Sequence, residues 1–182
     1  MGLYCDIIRL KDDGIKTSLS MKEKTDELYN FIQNTEPDNW FELEKAWHGI
    51  HFLLTKNSKT QEAGFLVNNG ITLRDYNWAE NYGVNVIDMR AFYTVEVSNI
   101  NKLLAGLTVK EMKKQYDPAE MFSRDIYPAI WEKKEFFTSR FIAKNFKVSR
   151  SLDYLITNFE KLQEFISDTA RKEMGIIIKY HQ

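Results

Sequence analysis

The run GIIIKY, residues 175–180, sets three β-branched isoleucines in succession behind a glycine. Consecutive β-branched residues without polar alternation fit a strand covered on both faces, in the middle of a sheet. Such a strand needs neighbours for its backbone N–H and C=O groups. The natural partner is the short apolar run at residues 3–10, LYCDIIRL, which has the same strand character. The reading that follows is an α+β fold in a single domain over 1–182, with a small mixed sheet that holds both terminal strands and about six helices covering it.

Working back from 175, residues 151–173 spell a long amphipathic helix. Leu152, Leu155, Ile156, Phe159, Leu162, Phe165, Ile166 and Ala170 recur at helical spacing. An aromatic-rich segment at 132–146 is a further expected helix, and IYPAIW, 126–131, is a proline-containing corner between elements. Three short helices are expected across 94–124. Thr94 caps the first, the pair Thr108 and Glu111 forms a capping box for the second, and Asp117 caps the third with Pro118 at its first position and Glu120 closing the box. VIDMRAFY, 86–93, reads as a strand.

Nearer the N-terminus, Asp12-Asp13-Gly14 reads as a turn, and Ser20 with Glu23 as the cap of a helix carrying Leu28, Phe31 and Ile32. Asn39 and Glu42 are spaced as a second cap pair, ahead of a helix over LEKAWHGIHFLL, 43–54. The region 56–85 has no sustained period; a short helix near 60–67 and an irregular connection with Trp78 and Tyr82 are expected there.

Composition narrows the functional classes. The chain has 182 residues, 43% hydrophobic and 14% aromatic, enough to bury a core without covalent staples. Its 25 Lys and Arg against 26 Asp and Glu leave a net charge of −1, so no overall field attracts nucleic acid or an acidic membrane. No window holds the ~18 apolar residues of a membrane span, and the N-terminal run is broken by Asp6 and Arg9 before a signal core forms. The single cysteine, Cys5, lies in an apolar strand and suits a reducing, cytoplasmic setting as a buried thiol. No P-loop, G-x-G-x-x-G or G-x-S-x-G motif is present, and no cofactor is expected.

Two groups of residues are candidates for a binding site. On a helix over 43–54, advancing about 100° per residue, Leu43, Trp47, Ile50 and Leu54 make an apolar face, and Glu44, His48 and His51 line up beside it. A carboxylate and two imidazoles are metal-ligand types, but the spacing is not H-E-x-x-H and no second motif completes the set. Packing is the expected role. Trp47 anchors the core, His51 buries its ring with one nitrogen bonded to a carbonyl or carboxylate, and His48 takes the wetter side. The second group is Arg90, Asp88, Asp125 and Tyr127 with Trp47 and Trp131 as walls, residue types that form small anionic or aromatic pockets.

These motifs carry a resemblance. Trp47, His51, Phe52, Leu53, Leu54 and Thr55 match the W-x-x-x-H-F-L-L-T signature of the YfbM-like family, a bacterial domain of unknown function. Arg90, Thr94–Val97, the acidic-proline turn YDPAEM, the IYPAIW corner and the last helix and strand resemble it in order. The chain departs from the family in having Lys56 where a glycine is usual and in a stretched segment before Phe92. The resemblance implies an α+β fold in a small bacterial cytoplasmic protein and brings no established reaction. The expected function is a non-enzymatic protein that binds a small molecule or a protein partner. The alternative is a small hydrolase or metal-dependent enzyme centred on His51, assisted by Glu44 or His48.

Overall fold

The computed structural model describes residues 2–56, 58–74, 88–128, 131 and 148–181. Five strands form one sheet: β1 (Tyr4–Leu10), β2 (Trp40–Glu44), β3 (Ile71–Arg74), β4 (Met89–Phe92) and β5 (Gly175–His181), in the order β2-β1-β5-β4-β3. The GIIIKY strand is thus central, as its apolar run requires. It pairs antiparallel with β1 from Tyr4↔His181 to Leu10↔Gly175, and with β4 from Met89↔Lys179 to Phe92↔Ile176.

The pairing is antiparallel at every described junction, where a mixed sheet was expected. The physical reason lies in where the helical excursions return. Leu10, Trp40, Phe92 and Gly175 all lie at one end of the sheet by register. The chain therefore leaves β1 and β4 and re-enters β2 and β5 at that same end, which makes neighbours antiparallel without crossovers.

The described residues include seven α-helices, one more than expected: α1 (Asp12–Ser20), α2 (Thr25–Gln33), α3 (Trp47–Thr55), α4 (Thr94–Ala105), α5 (Val109–Gln115), α6 (Pro118–Ser123) and α7 (Val148–Arg171). They cover both sheet faces. Ile7, Ile176, Ile178 and Tyr180 face a large core with α3, α4 and α7 residues such as Trp47, Val97, Leu155 and Phe159. Ile8, Met89, Ala91 and Ile177 face a smaller one with Ile15 of α1 and Leu28 and Ile32 of α2. Alternate side chains of one strand go to opposite faces, so burial on both sides explains the unbroken isoleucine run. Gly175 fits where a Cβ would collide with Ile15 and with the Phe92 carbonyl.

The capping box of α5 and the Asp117 cap of α6 are as the sequence predicts, but Glu120 does not close a box on α6: its carboxylate pairs with Lys56 and, at 3.1 Å, with Arg124. Thr108 Oγ1 accepts from the Glu111 N–H at 3.2 Å while the Glu111 carboxylate accepts from the Thr108 N–H at 2.7 Å. Asp117 Oδ1 accepts from the N–H groups of Ala119 and Glu120 at 3.0 and 3.1 Å.

Five local expectations are corrected. Asp12-Asp13-Gly14 is the first turn of α1, not a loop, since two acids there suit the positive end of the helix dipole. Ser20 closes α1 instead of opening a helix, and its hydroxyl donates to the Thr17 carbonyl at 2.7 Å. Asn39 and Glu42 cap no helix: Pro37–Asn39 is a single 3₁₀ turn and Trp40–Glu44 pairs with β1. Thr94 is the first residue of α4, and its N–H and hydroxyl both donate to Asp12 Oδ1, at 3.0 and 2.8 Å. The helix expected near 60–67 is a 3₁₀ turn over Gln61–Gly64. Trp78, Tyr82 and the helix expected at 132–146 lie outside the described residues.

Candidate functional site

The chain enters α3 directly from β2 through Glu44, whose φ is 53°. Because α3 begins at Trp47, Glu44 never joins a helical row with the histidines. It accepts a hydrogen bond from the Tyr154 hydroxyl of α7 at 3.2 Å instead.

Trp47 is fully buried. Its Nε1 donates to the Leu3 carbonyl at 3.2 Å, and the Leu3 N–H donates to the Tyr127 hydroxyl at 2.7 Å. The indole stacks on His48 at 4.9 Å between ring centroids and on Tyr127 at 6.0 Å, and meets Tyr180 edge-on at 4.9 Å. Trp131 is also fully buried, and its Nε1 donates to the Ile126 carbonyl. The two tryptophans expected as pocket walls are therefore packed core, and Trp131 closes over Gly49.

The backbone bond expected of His51 is made by His48. His48 Nδ1 accepts from the Tyr127 backbone N–H at 2.9 Å, which assigns its proton to Nε2. His51 Nδ1 is buried with no hydrogen-bond partner among the described residues. The ring that faces a backbone donor after the proline-corner fold is His48, a contact across 79 positions that helix geometry alone does not reveal. Both rings are half-buried, with centroids 6.4 Å apart. Burial lowers both pKa values from 6.5 to about 4, with the charge of His51 adding to the effect on His48 and that of Arg90 to the effect on His51. Both are neutral at pH 7. Among the described residues no three His, Cys, Asp or Glu side chains gather as a metal set.

Arg90 is 2% exposed on β4. Its electrostatic neighbours are His51, Cys5 and Tyr180; burial raises the Cys5 thiol and the Tyr180 phenol well above their ordinary values despite that positive charge. Asp88 accepts from the Tyr29 hydroxyl at 3.2 Å and pairs with Arg74 at 3.3 Å. Asp125 is exposed in the turn after α6, while Tyr127 and Trp131 are buried. The second candidate group is thus distributed between core and surface instead of lining one pocket.

A different set of residues lines the groove of about 550 Å³ between β2 and α7, among them Arg9, Phe41, Lys161, Glu164, Phe165, Asp168 and Arg171. Phe41 of β2 stacks on Phe165 of α7 at 5.1 Å, and the Arg9 guanidinium lies 4.3 Å from the Phe165 centroid. Lys161, Phe165, Asp168 and Arg171 or Lys172 fall three or four apart, which places them along one strip of α7. Asp168 accepts from Arg9, from Arg171 at 2.5 Å and from Lys172 at 2.8 Å, and these bonds hold its carboxyl well below the usual range. On the other face of β2 a second groove of about 580 Å³ is lined by Gln33, Thr35, Pro37, Trp40, Phe41 and Glu42. β2 ends the sheet, so among the described residues no strand pairs with its outer edge.

None of Arg9, Phe41, Phe165 and Asp168 stands out in the sequence as part of a site. The one signal is Arg9 itself, which continues the inward series Leu3, Cys5, Ile7 on β1 where an apolar residue belongs.

A five-stranded α+β sheet, with β2 at its edge among the described strands and a long helix beside it, defines the class. The chain belongs to the family described as domain of unknown function 1877, whose model matches residues 1–179. Its fold is similar to that of YfbM from Escherichia coli, itself described as a protein of unknown function. The two align with a TM-score of 0.68 over 98% of this chain and 99% of that one, at 15% sequence identity. Comparison with the curated proteins finds no match.

Proposed function

We propose that the chain is a non-enzymatic interaction protein that takes up an extended segment of a protein partner as an added strand on β2. The observation that carries this reading is the outer edge of β2, with which no described strand pairs, and the groove on each of its faces, both lined by Phe41. An extended peptide hydrogen-bonds to such an edge through its main chain and sends alternate side chains to opposite faces. The proposal places the protein in a bacterial cytoplasm. No helix of the described residues is long and apolar enough to cross a membrane, and Cys5 is a buried free thiol.

The test is selection of peptides from a random library on the full chain and on Phe41→Ala, followed by amide exchange on the complex. Binders that require Phe41 and slow exchange across Trp40–Glu44 are the expected result. Binders that leave those amides unprotected would refute it.

A second reading, an enzyme centred on His51, draws on its buried Nδ1, which has no hydrogen-bond partner among the described residues. Elemental analysis separates the two. Stoichiometric zinc or iron, lost on changing His48 and His51 to Ala, would move the enzyme to the front; we expect no such metal.

A further inference from the structure

We infer that the segment taken up at β2 is acidic and presents a carboxylate to the cationic end of the β2–α7 groove, at Arg9, Lys161 and Arg171. This inference rests on the reading of β2 as a docking edge and adds the chemistry of the partner.

Charge at the groove is uneven in spite of the near-neutral chain. Four cations, Arg9, Lys161, Arg171 and Lys172, gather around two carboxylates, Glu164 and Asp168. Asp168 is already shared: its Oδ1 receives Arg171 and its Oδ2 receives both Arg9 and Lys172. One carboxylate divided among three cations leaves donors for a second, and a charge-assisted bond of this kind is among the stronger ones available to a bound peptide.

Arg9 supplies an independent observation. It is 5% exposed, held against Phe165 at 4.3 Å, and its Nε is buried with no hydrogen-bond partner among the described residues. A guanidinium is always charged, so a buried one is expected to find acceptors for its donors. Asp168 serves only one side of it. An incoming carboxylate is the acceptor the other side lacks, and the stacked ring fixes the plane in which it would be met.

No Lys or Arg is among the described residues that line the opposite groove, where Lys179 stands behind Trp40 at 5.7 Å. Its polar lining is Gln33, Thr35 and Glu42. Because alternate side chains of an added strand point to opposite faces, acidic residues belong at every second position of the partner at most, on the α7 side. The commitment is therefore to an extended, alternating segment with Asp or Glu facing α7.

The experiment uses the full chain, Phe41→Ala, and the double variant Lys161→Glu with Arg171→Glu. Both positions of the double variant are exposed, and a thermal melt beside the wild type checks that it keeps the fold. Peptides selected on the wild type are expected to share Asp or Glu at one alternate position. Replacing that residue by its amide should weaken binding about tenfold, the scale of one charged hydrogen bond. The double variant should bind about tenfold more weakly too, with a flatter salt dependence.

The failures are distinguishable. Phe41-dependent peptides with no acidic preference, whose affinity ignores the double variant, would overturn the carboxylate and leave strand addition standing. A selection that yields no Phe41-dependent binder would overturn both. A concentration-dependent dimer abolished by Phe41→Ala would assign the edge to a second copy of this chain.

Discussion

Acidification tests the histidine pair. His48 and His51 are both held at about 4, against an ordinary 6.5, because burial disfavours the imidazolium and neighbouring positive charge adds to that. The folded chain therefore binds fewer protons than the unfolded one between those values. Stability is fully present above about 6.5 and is lost as pH falls toward 4. At about 1.4 kcal/mol per decade of proton affinity, each histidine taken alone costs about 3 kcal/mol by the bottom of that window. The two costs overlap, since each ring is part of the other's surroundings. Against a total stability of about 5–15 kcal/mol, this is a large fraction. His48 carries a specific contact as well: protonating Nδ1 sets a donor against the Tyr127 N–H that now donates to it at 2.9 Å. The assay is urea unfolding at a series of pH values from 7.5 to 4.5, for the wild type, His48→Gln and His51→Gln. Each variant should flatten the pH dependence, and His48→Gln keeps an acceptor for the Tyr127 N–H. Asp168, whose carboxyl is also lowered, contributes only below its usual 3.8, outside this window. A wild type whose stability is level between pH 6.5 and 4.5, or two variants with an undiminished slope, would refute the placement of both rings in a low-dielectric environment.

Three further outcomes are expected. Trp47→Ala should cost about 3–5 kcal/mol in denaturant melts, as large aromatic truncations do, because the ring is fully buried and holds the Leu3 carbonyl; a change below ~1 kcal/mol would contradict it. Gly49→Ala should destabilise by about 1–3 kcal/mol, since its Cβ would stand 2.7 Å from Leu155 Cδ2 and 2.8 Å from the Trp131 ring; a neutral thermal melt would show that the contact relaxes freely. Removing residues 175–182 takes out β5, so the remainder should be insoluble or melt without cooperativity, and an unchanged sharp transition would disprove the central role of that strand.

What the sequence makes legible is what local chemistry decides. The isoleucines of β5, the apolar stripe of α7, and the caps of α5 and α6 each act within a few residues, and each stands in the structure where it was expected. β2 is different. Trp40–Glu44 carries a cap-like pair at Asn39 and Glu42, but its aromatic start and its Phe-Glu-Leu-Glu alternation pair with β1, and pairing across the sheet outweighs local spacing. The short β3, Ile71–Arg74, likewise exists by pairing with β4. The histidine roles turn on a contact between positions 48 and 127, and the groove on residues 9, 41, 165 and 168, which only the sheet order brings together. No spacing rule spans such distances, whereas an arginine on the inward face of a strand is a local anomaly that can be looked for.

The position of β5 bears on how the sheet comes into being. It joins the β2-β1 half of the sheet to the β4-β3 half, yet it is the last of the five strands in chain order. During synthesis the inner edges of β1 and β4 stay bare until almost the whole described chain has left the ribosome, because the strand that covers both has not been made. Two hairpin-like halves then await a single closing event of very long sequence separation, Tyr4 against His181, a topology that folds slowly and leaves apolar edges open to other chains in the interval. Newly made protein should accordingly lean on chaperones that shield strand edges, far more than the finished fold does.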